Sequence, residues 1–213
     1  MRVAVVDIGS NSTRLLIAEI AGDRVQSELD RRSIVTRLGQ GVDADGRLSR
    51  EAIDRVYETL EEYQAEIDRR GVERSVAVLT SAVRDSANGE EFADTVRERY
   101  GLDPHVLSGD QEAEMTFRGA TSERDRADVE PTLVFDIGGG STEIVIGTGT
   151  AVVFHVSTQA GVVRQTERHL HHDPPREAEQ AQLSADVRET LADAVPEQRR
   201  DDVTRGIAVA GTA

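Results

Sequence analysis

The chain has 213 residues, with 40 Asp and Glu against 25 basic side chains and a net charge of −15. That balance excludes a general nucleic-acid or anionic-membrane binder, which needs a basic footprint, but allows an anionic substrate held in a local pocket of amides, arginine and metal. With no cysteine there is neither a disulfide framework nor a thiolate metal site.

At about 150 residues per domain, the length allows one large domain or two small ones. No apolar stretch approaches the roughly 20 residues that cross a bilayer. The first apolar run, Val3 to Val6, is broken by Asp7 and offers no core for a secretory signal, so a cytoplasmic protein is expected. All 25 basic residues are arginine, a pattern shared by GC-rich coding and salt adaptation that does not bear on activity.

In chain order, residues 3–7 read as a buried strand, Gly9-Ser10-Asn11-Ser12 as a turn, and residues 13–20 as a returning strand. A third strand follows within residues 25–38, then loops around 39–41 and 43–46. Ser49 is a candidate N-cap for a helix whose Ile53, Val56, Leu60, Tyr63 and Ile67 recur at helical spacing before Gly71 stops it. Residues 76–79 form a short strand running into Thr80-Ser81-Ala82-Val83-Arg84. A helix at 89–100 and a strand at 105–107 come next, and Ser108-Gly109 opens a helix bearing Glu112, Met115 and Phe117.

The polar run 122–130 before Pro131 is the candidate boundary, dividing the chain into 1–124 and 125–213. Strands at 132–136, 143–146 and 152–156, helices near 162–170 and 178–194, and a strand at 207–210 complete an α/β pattern.

The most informative feature is internal. Val5-Val6-Asp7-Ile8-Gly9-Ser10-Asn11-Ser12-Thr13-Arg14 aligns without gaps to Val134-Phe135-Asp136-Ile137-Gly138-Gly139-Gly140-Ser141-Thr142-Glu143, 129 residues later. Each copy delivers an Asp at a strand end into a Gly/Ser turn and a second strand. Glycine permits positive φ and close approach of a phosphate, successive amides form an anion nest, and Ser/Thr hydroxyls add donors. The strand-end Asp suits Mg²⁺, which takes one or two carboxylates and several waters. Either hairpin alone reads equally well as a plain glycine turn. The pair suggests two jaws on one phosphate chain.

These segments resemble the exopolyphosphatase/guanosine pentaphosphate phosphohydrolase family of the actin-like (ribonuclease H-like) ATPase, sugar-kinase and heat-shock superfamily. Asp7-Ile8-Gly9-Ser10-Asn11-Ser12 and Asp136-Ile137-Gly138-Gly139-Gly140-Ser141-Thr142-Glu143 resemble its two phosphate loops. Thr80-Ser81-Ala82-Val83-Arg84-Asp85 resembles the segment supplying a phosphate-binding arginine. Ser108-Gly109-Asp110-Gln111-Glu112-Ala113 resembles its Ser-Gly-x-x-Glu-Ala segment, although Gln111 stands where the family usually has a carboxylate.

The resemblance implies a two-domain α/β fold and hydrolysis of the terminal phosphoanhydride of inorganic polyphosphate, with guanosine penta- or tetraphosphate as the alternative substrate. It further implies Glu112 as general base, Asp7, Asp136 and Glu143 as ligands of Mg²⁺ or Mn²⁺, and Gly9, Ser10, Asn11, Ser12, Thr13, Arg84, Gly138, Gly139, Gly140, Ser141 and Thr142 as phosphate binders. A homodimer is expected of the full-length protein, with no nucleic-acid or membrane partner. Ala210-Gly211-Thr212-Ala213 resembles the start of the family's Gly-Thr-x-Thr motif, which implies a truncated second domain, less stable and weaker as a hydrolase than a longer chain.

Taken singly, the same residues have blander readings. Glu112 could be a helix-dipole partner, Arg84 could pair with Asp85, and Glu143 could be an exposed strand residue. His169, His171 and His172 suggest a metal site or, more simply, a solvated helix end before Asp173-Pro174-Pro175. An actin-like kinase or a scaffold that binds nucleotide would use the same loops. The Glu112 segment, lying between the two hairpins in sequence, favours hydrolysis.

Overall fold

A computed structural model describes residues 1–210 except Asp23, Arg126, Ala127, Thr150 and Asp202. The segment Gly211-Thr212-Ala213 lies outside the described residues. The elements run β1 (Arg2–Ile8), β2 (Ser12–Ala21), β3 (Arg24–Val35), α1 (Val42–Asp45), α2 (Arg50–Arg69), β4 (Arg74–Leu79), α3 (Ser81–Arg84), α4 (Gly89–Tyr100), β5 (Asp103–Val106) and α5 (Gly109–Ala120). They continue with β6 (Thr132–Ile137), β7 (Thr142–Thr148), β8 (Ala151–Thr158), α6 (Val162–His169), α7 (Glu177–Ala194), α8 (Glu197–Arg200) and β9 (Arg205–Val209).

Two compact units divide between Leu107 and Ser108. The first sheet has the order β3-β2-β1-β4-β5, with β1, β2 and β3 successively antiparallel and β4 parallel to both β1 and β5. The second has β8-β7-β6-β9, again with an antiparallel trio and a parallel neighbour beside its first strand. The sequence repeat is therefore a repeat of topology, and the order 3-2-1-4 is the ribonuclease H-like arrangement of the actin-like superfamily.

The first unit is built on one face of its sheet. Ala4, Val6 and Ile8 are fully buried, together with Val56, Leu60 and Tyr63 of α2 and Phe92 and Val96 of α4. Ser49 caps α2 as expected, its side chain accepting from the Ala52 amide at 3.2 Å. The segment read as loop at 43–46 overlaps a short helix instead, α1, and the run after β4 forms a second single turn, α3, that follows the strand through Thr80.

The division at Leu107 corrects the boundary expected near 122–131. Ala113 and Phe117 of α5 are buried with Val134 of β6 and Val145 of β7. They form the heart of the second core, so the helix carrying Glu112 belongs to the second unit. Gly147 makes this possible, because a Cβ there would come within 2.4 Å of the Phe117 ring.

Candidate active site

In the first hairpin Asp7 faces Arg14 and Ile8 faces Thr13 across the strands. In the second Asp136 faces Glu143 and Ile137 faces Thr142. The turns close identically: the Gly9 amide donates to the Ser12 carbonyl at 3.0 Å, and the Gly138 amide to the Ser141 carbonyl at 3.0 Å.

Neither Gly9 nor Gly138 adopts a positive φ, so the expected reason for glycine is replaced by a steric one. A Cβ would stand 3.1 Å from the Ser12 oxygen in the first turn and 3.0 Å from the Ser141 oxygen in the second.

A strap follows the third strand of each unit and donates to the turn's carbonyls. Thr36 and Arg37 donate to Asn11, and Gly39 to Ser10. In the second unit Gly161 donates to Gly140, Val162 to Gly138, and Val163 and Arg164 to Gly139. Arg164 adds a side-chain bond from Nε to the Gly140 carbonyl at 2.9 Å. With carbonyls held on the strap side, the amides of Ser10, Asn11, Gly139 and Gly140 make no backbone hydrogen bond among the described residues. That is the arrangement of an anion nest.

The hydroxyls behave differently from expectation. Thr13 is buried against Thr36 with its Oγ1 at 3.0 Å, Thr142 donates to the Ala160 carbonyl, and Ser10 shares a buried 2.9 Å bond with Ser81. These side chains brace the turns. Tyr63 braces the first turn from α2, donating to the Thr13 carbonyl at 2.8 Å. Burial pushes its phenol up to about 12.

Arg84, at the end of α3, donates to the Leu107 carbonyl at 2.9 Å and lies 3.5 Å from Asp85, so the blander pairing with Asp85 is present. Glu112 lies in the first turn of α5. The hydroxyl of Ser108 accepts from the Gln111 amide, and the Gln111 side chain accepts from the Ser108 amide. This capping box explains glutamine at position 111: its side chain closes the helix start.

One turn beyond Glu112, Thr116 reaches Asp136 at 3.4 Å. Glu143, which could have been an exposed strand residue, is instead 1% exposed and accepts from Ser157 at 2.8 Å. Thr116 and Ser157 are missed by sequence reasoning. Each is an ordinary hydroxyl: the partner of Thr116 is set by how α5 lies on the sheet, and that of Ser157 by the register of β8 on β7.

Asp136 and Glu143 are cross-strand partners, and such pairs project from the same face of the sheet. Like charges directly opposite one another on a sheet are destabilising, and a bound cation would offset that. One or two carboxylates, completed by water and phosphate oxygens, is the donor set Mg²⁺ prefers, so this pair fits a divalent metal. His169 lies 3.3 Å from Asp186 and His172 2.7 Å from Glu179, pairings that belong to the turn between α6 and α7.

The model of the Ppx/GppA phosphatase family matches residues 16–212. The chain belongs to that family. It is 41% identical to Exopolyphosphatase 2 of Mycobacterium tuberculosis over 99% of its own length and 68% of that protein. The crystal structure of an exopolyphosphatase from Cytophaga hutchinsonii matches all of the chain and 67% of its own, with a TM-score of 0.88 and 32% identity. A Ppx/GppA family member from Aquifex aeolicus matches at a TM-score of 0.73 with 36% identity. Among the described residues no helix is long and apolar enough to cross a membrane.

Proposed function

We propose that this family member is an exopolyphosphatase that hydrolyses the terminal phosphoanhydride of inorganic polyphosphate. The observation that supports this best is the seat of α5. The helix that carries Glu112 in its first turn packs through Ala113 and Phe117 on the face from which Asp136 and Glu143 project, with Thr116 against Asp136.

In the proposed reaction Glu112 accepts a proton as the oxygen of water attacks the terminal phosphorus. The bridging P–O bond breaks, and its electrons leave on the shortened chain. Amides of Ser10 and Asn11 in one turn and of Gly139 and Gly140 in the other hold non-bridging oxygens, and the Arg84 guanidinium offers a two-pronged donor to the transferred group. Asp7, Asp136 and Glu143 would hold Mg²⁺ or Mn²⁺, which when bound neutralises charge on the phosphate oxygens.

The test is Glu112→Gln. Phosphate release from polyphosphate should fall roughly 10² to 10⁴-fold in kcat with little change in KM, whereas near-normal turnover removes the base assignment. Guanosine pentaphosphate is the second substrate to assay, because the family name covers both activities. A thermal shift with ATP but none with polyphosphate would favour a kinase or scaffold.

A further inference from the structure

We propose that Ser157 is a positioning residue that fixes the Glu143 carboxylate for a divalent cation and seats the helix bearing Glu112 at the same time. The inference rests on the metal part of the reading above and names a side chain that the motif does not contain.

Ser157 is the register partner of Glu143 on β8, so the two project from the same face. Its Oγ donates to Glu143 Oε1 at 2.8 Å. A carboxylate that is 1% exposed needs its oxygens satisfied by the protein or by a ligand. A hydroxyl donor on one oxygen sets the plane in which the group can meet a cation.

The other side of Ser157 meets the start of α5. A Cβ on Gly109 would lie 3.0 Å from the Ser157 Cβ and 3.5 Å from its Oγ. Gly109 is thus the residue that lets the first turn of α5 close down on Ser157, one turn ahead of Glu112. Two residues along β8, on the same face, His155 stands 3.7 Å from Asp110 of that first turn. Downstream, Thr116 repeats the arrangement on Asp136 at 3.4 Å. Each carboxylate of the pair therefore carries one neutral hydroxyl donor, one from the sheet and one from the helix. Such donors orient a ligand carboxylate without competing for its charge.

The experiment measures Mn²⁺ binding to the 213-residue chain directly, by electron paramagnetic resonance without substrate, beside circular dichroism melts. Ser157→Ala should weaken Mn²⁺ binding by roughly tenfold, the lower end for loss of a group orienting a metal ligand. Ser157→Cys, which keeps the volume but is a poor donor, should behave like Ser157→Ala. Ser157→Thr, which keeps the hydroxyl on a strand, should stay near wild type.

Wild-type affinity in folded Ser157→Ala or Ser157→Cys would overturn the proposal. So would a folded Ser157→Thr as weak as the alanine variant, or a wild-type chain that binds no Mn²⁺. Loss of Mn²⁺ affinity in these variants, in a chain that releases no phosphate from polyphosphate, would remove the substrate assignment and uphold the role of Ser157.

Discussion

The two hairpins share turn, register and closing hydrogen bond, yet their surroundings differ in two ways. The first is charge. Arg14 faces Asp7 at the register position where Glu143 faces Asp136, so one hairpin carries a neutral pair and the other a double negative. The second is the covered face. In the first unit the helices bury Ala4, Val6 and Ile8, and the face with Val3, Val5 and Asp7 is half-buried. In the second, α5 covers the equivalent of that other face, packing on Val134 and Val145 beside Asp136 and Glu143. The two similar units thus have opposite faces covered: the first leaves the face with Asp7 half-buried, and the second lays α5, with Glu112 in its first turn, over the face with Asp136 and Glu143.

The largest effect should come from the charge difference. Glu143→Gln should lower kcat on polyphosphate by about 10² or more, the scale expected when a ligand of a charge-neutralising cation is lost, and should raise the Mg²⁺ requirement. Arg14→Gln, at the matching position, should change kcat by less than about tenfold and leave the Mg²⁺ half-saturation unchanged, since in this reading it adds one charge near the phosphate. Steady-state assays across Mg²⁺ concentrations decide between them. Equal losses with equal shifts in metal demand would show that the hairpins act alike.

Next in size are the straps. At Gly161 a Cβ would fall 2.3 Å from the Gly140 carbonyl carbon and 2.4 Å from the Gly139 oxygen, a clash with backbone on both counts. At Gly39 the overlap is shallower, with the Ser10 Cβ at 2.9 Å and the Ser10 carbonyl oxygen at 3.2 Å. Gly161→Ala should cost about 3 kcal/mol and Gly39→Ala about 1 kcal/mol, spanning the usual range of overpacking. Urea melts of the two variants would show it, and the reverse order would mean that the second turn yields more easily than the first.

How far these differences could be read from the chain depends on which contacts are local. The hairpins were legible because a strand, a Gly/Ser turn and a returning strand are contiguous, and the repeat put Asp7 and Asp136 at equivalent strand ends without a structure. Ser49 as a cap and the α2 stripe were legible for the same reason. The allegiance of α5 was not: Ala113 and Phe117 announce an apolar face, but periodicity does not say which sheet it meets. The small residue that receives Phe117, Gly147, lies thirty positions on. Nor were the hydroxyl partners, because Ser10 to Ser81 and Thr116 to Asp136 join segments far apart in sequence.

A smaller effect tests how the first turn is held. Tyr63 reaches it from α2 with a buried hydroxyl on the Thr13 carbonyl, whereas the second turn has a threonine, Thr142, bonded to the strap at Ala160. Tyr63→Phe should cost about 1 to 2 kcal/mol, the range for leaving a buried acceptor without its donor. Because α2 also packs through its apolar face, the fold should survive, and denaturation at neutral pH would measure the loss. A cost near zero would mean that water replaces the hydroxyl and that α2 holds the turn by packing alone.

The smallest expected effect is acid sensitivity, and each unit supplies its own probe. In the first, hydrogen bonds from Arg69 and Arg70 pull the Glu66 carboxyl down to about 2. In the second, Arg124 chiefly, with the Glu130 amide and Arg205, pulls the Asp128 carboxyl down to about 2. A carboxylate whose folded pKa lies below its unfolded value of about 4 binds fewer protons in the native state. Its stabilising contribution is therefore complete at neutral pH and drains away as pH falls from about 4 toward 2. The melting temperature of the wild-type chain should drop across that window. Glu66→Gln and Asp128→Asn should each start lower at pH 6 and fall less steeply below pH 4, because each variant has removed one carboxylate that titrates there. Glu66 is buried but its partner Arg69 reaches solvent, as do Asp128 and Arg205, so salt screens both sets of ion pairs and the difference in slope should shrink in high salt. If Glu66→Gln flattens the curve and Asp128→Asn does not, acid opens the first unit before the second. The converse result would place the weaker unit on the side of the carboxylate pair and α5.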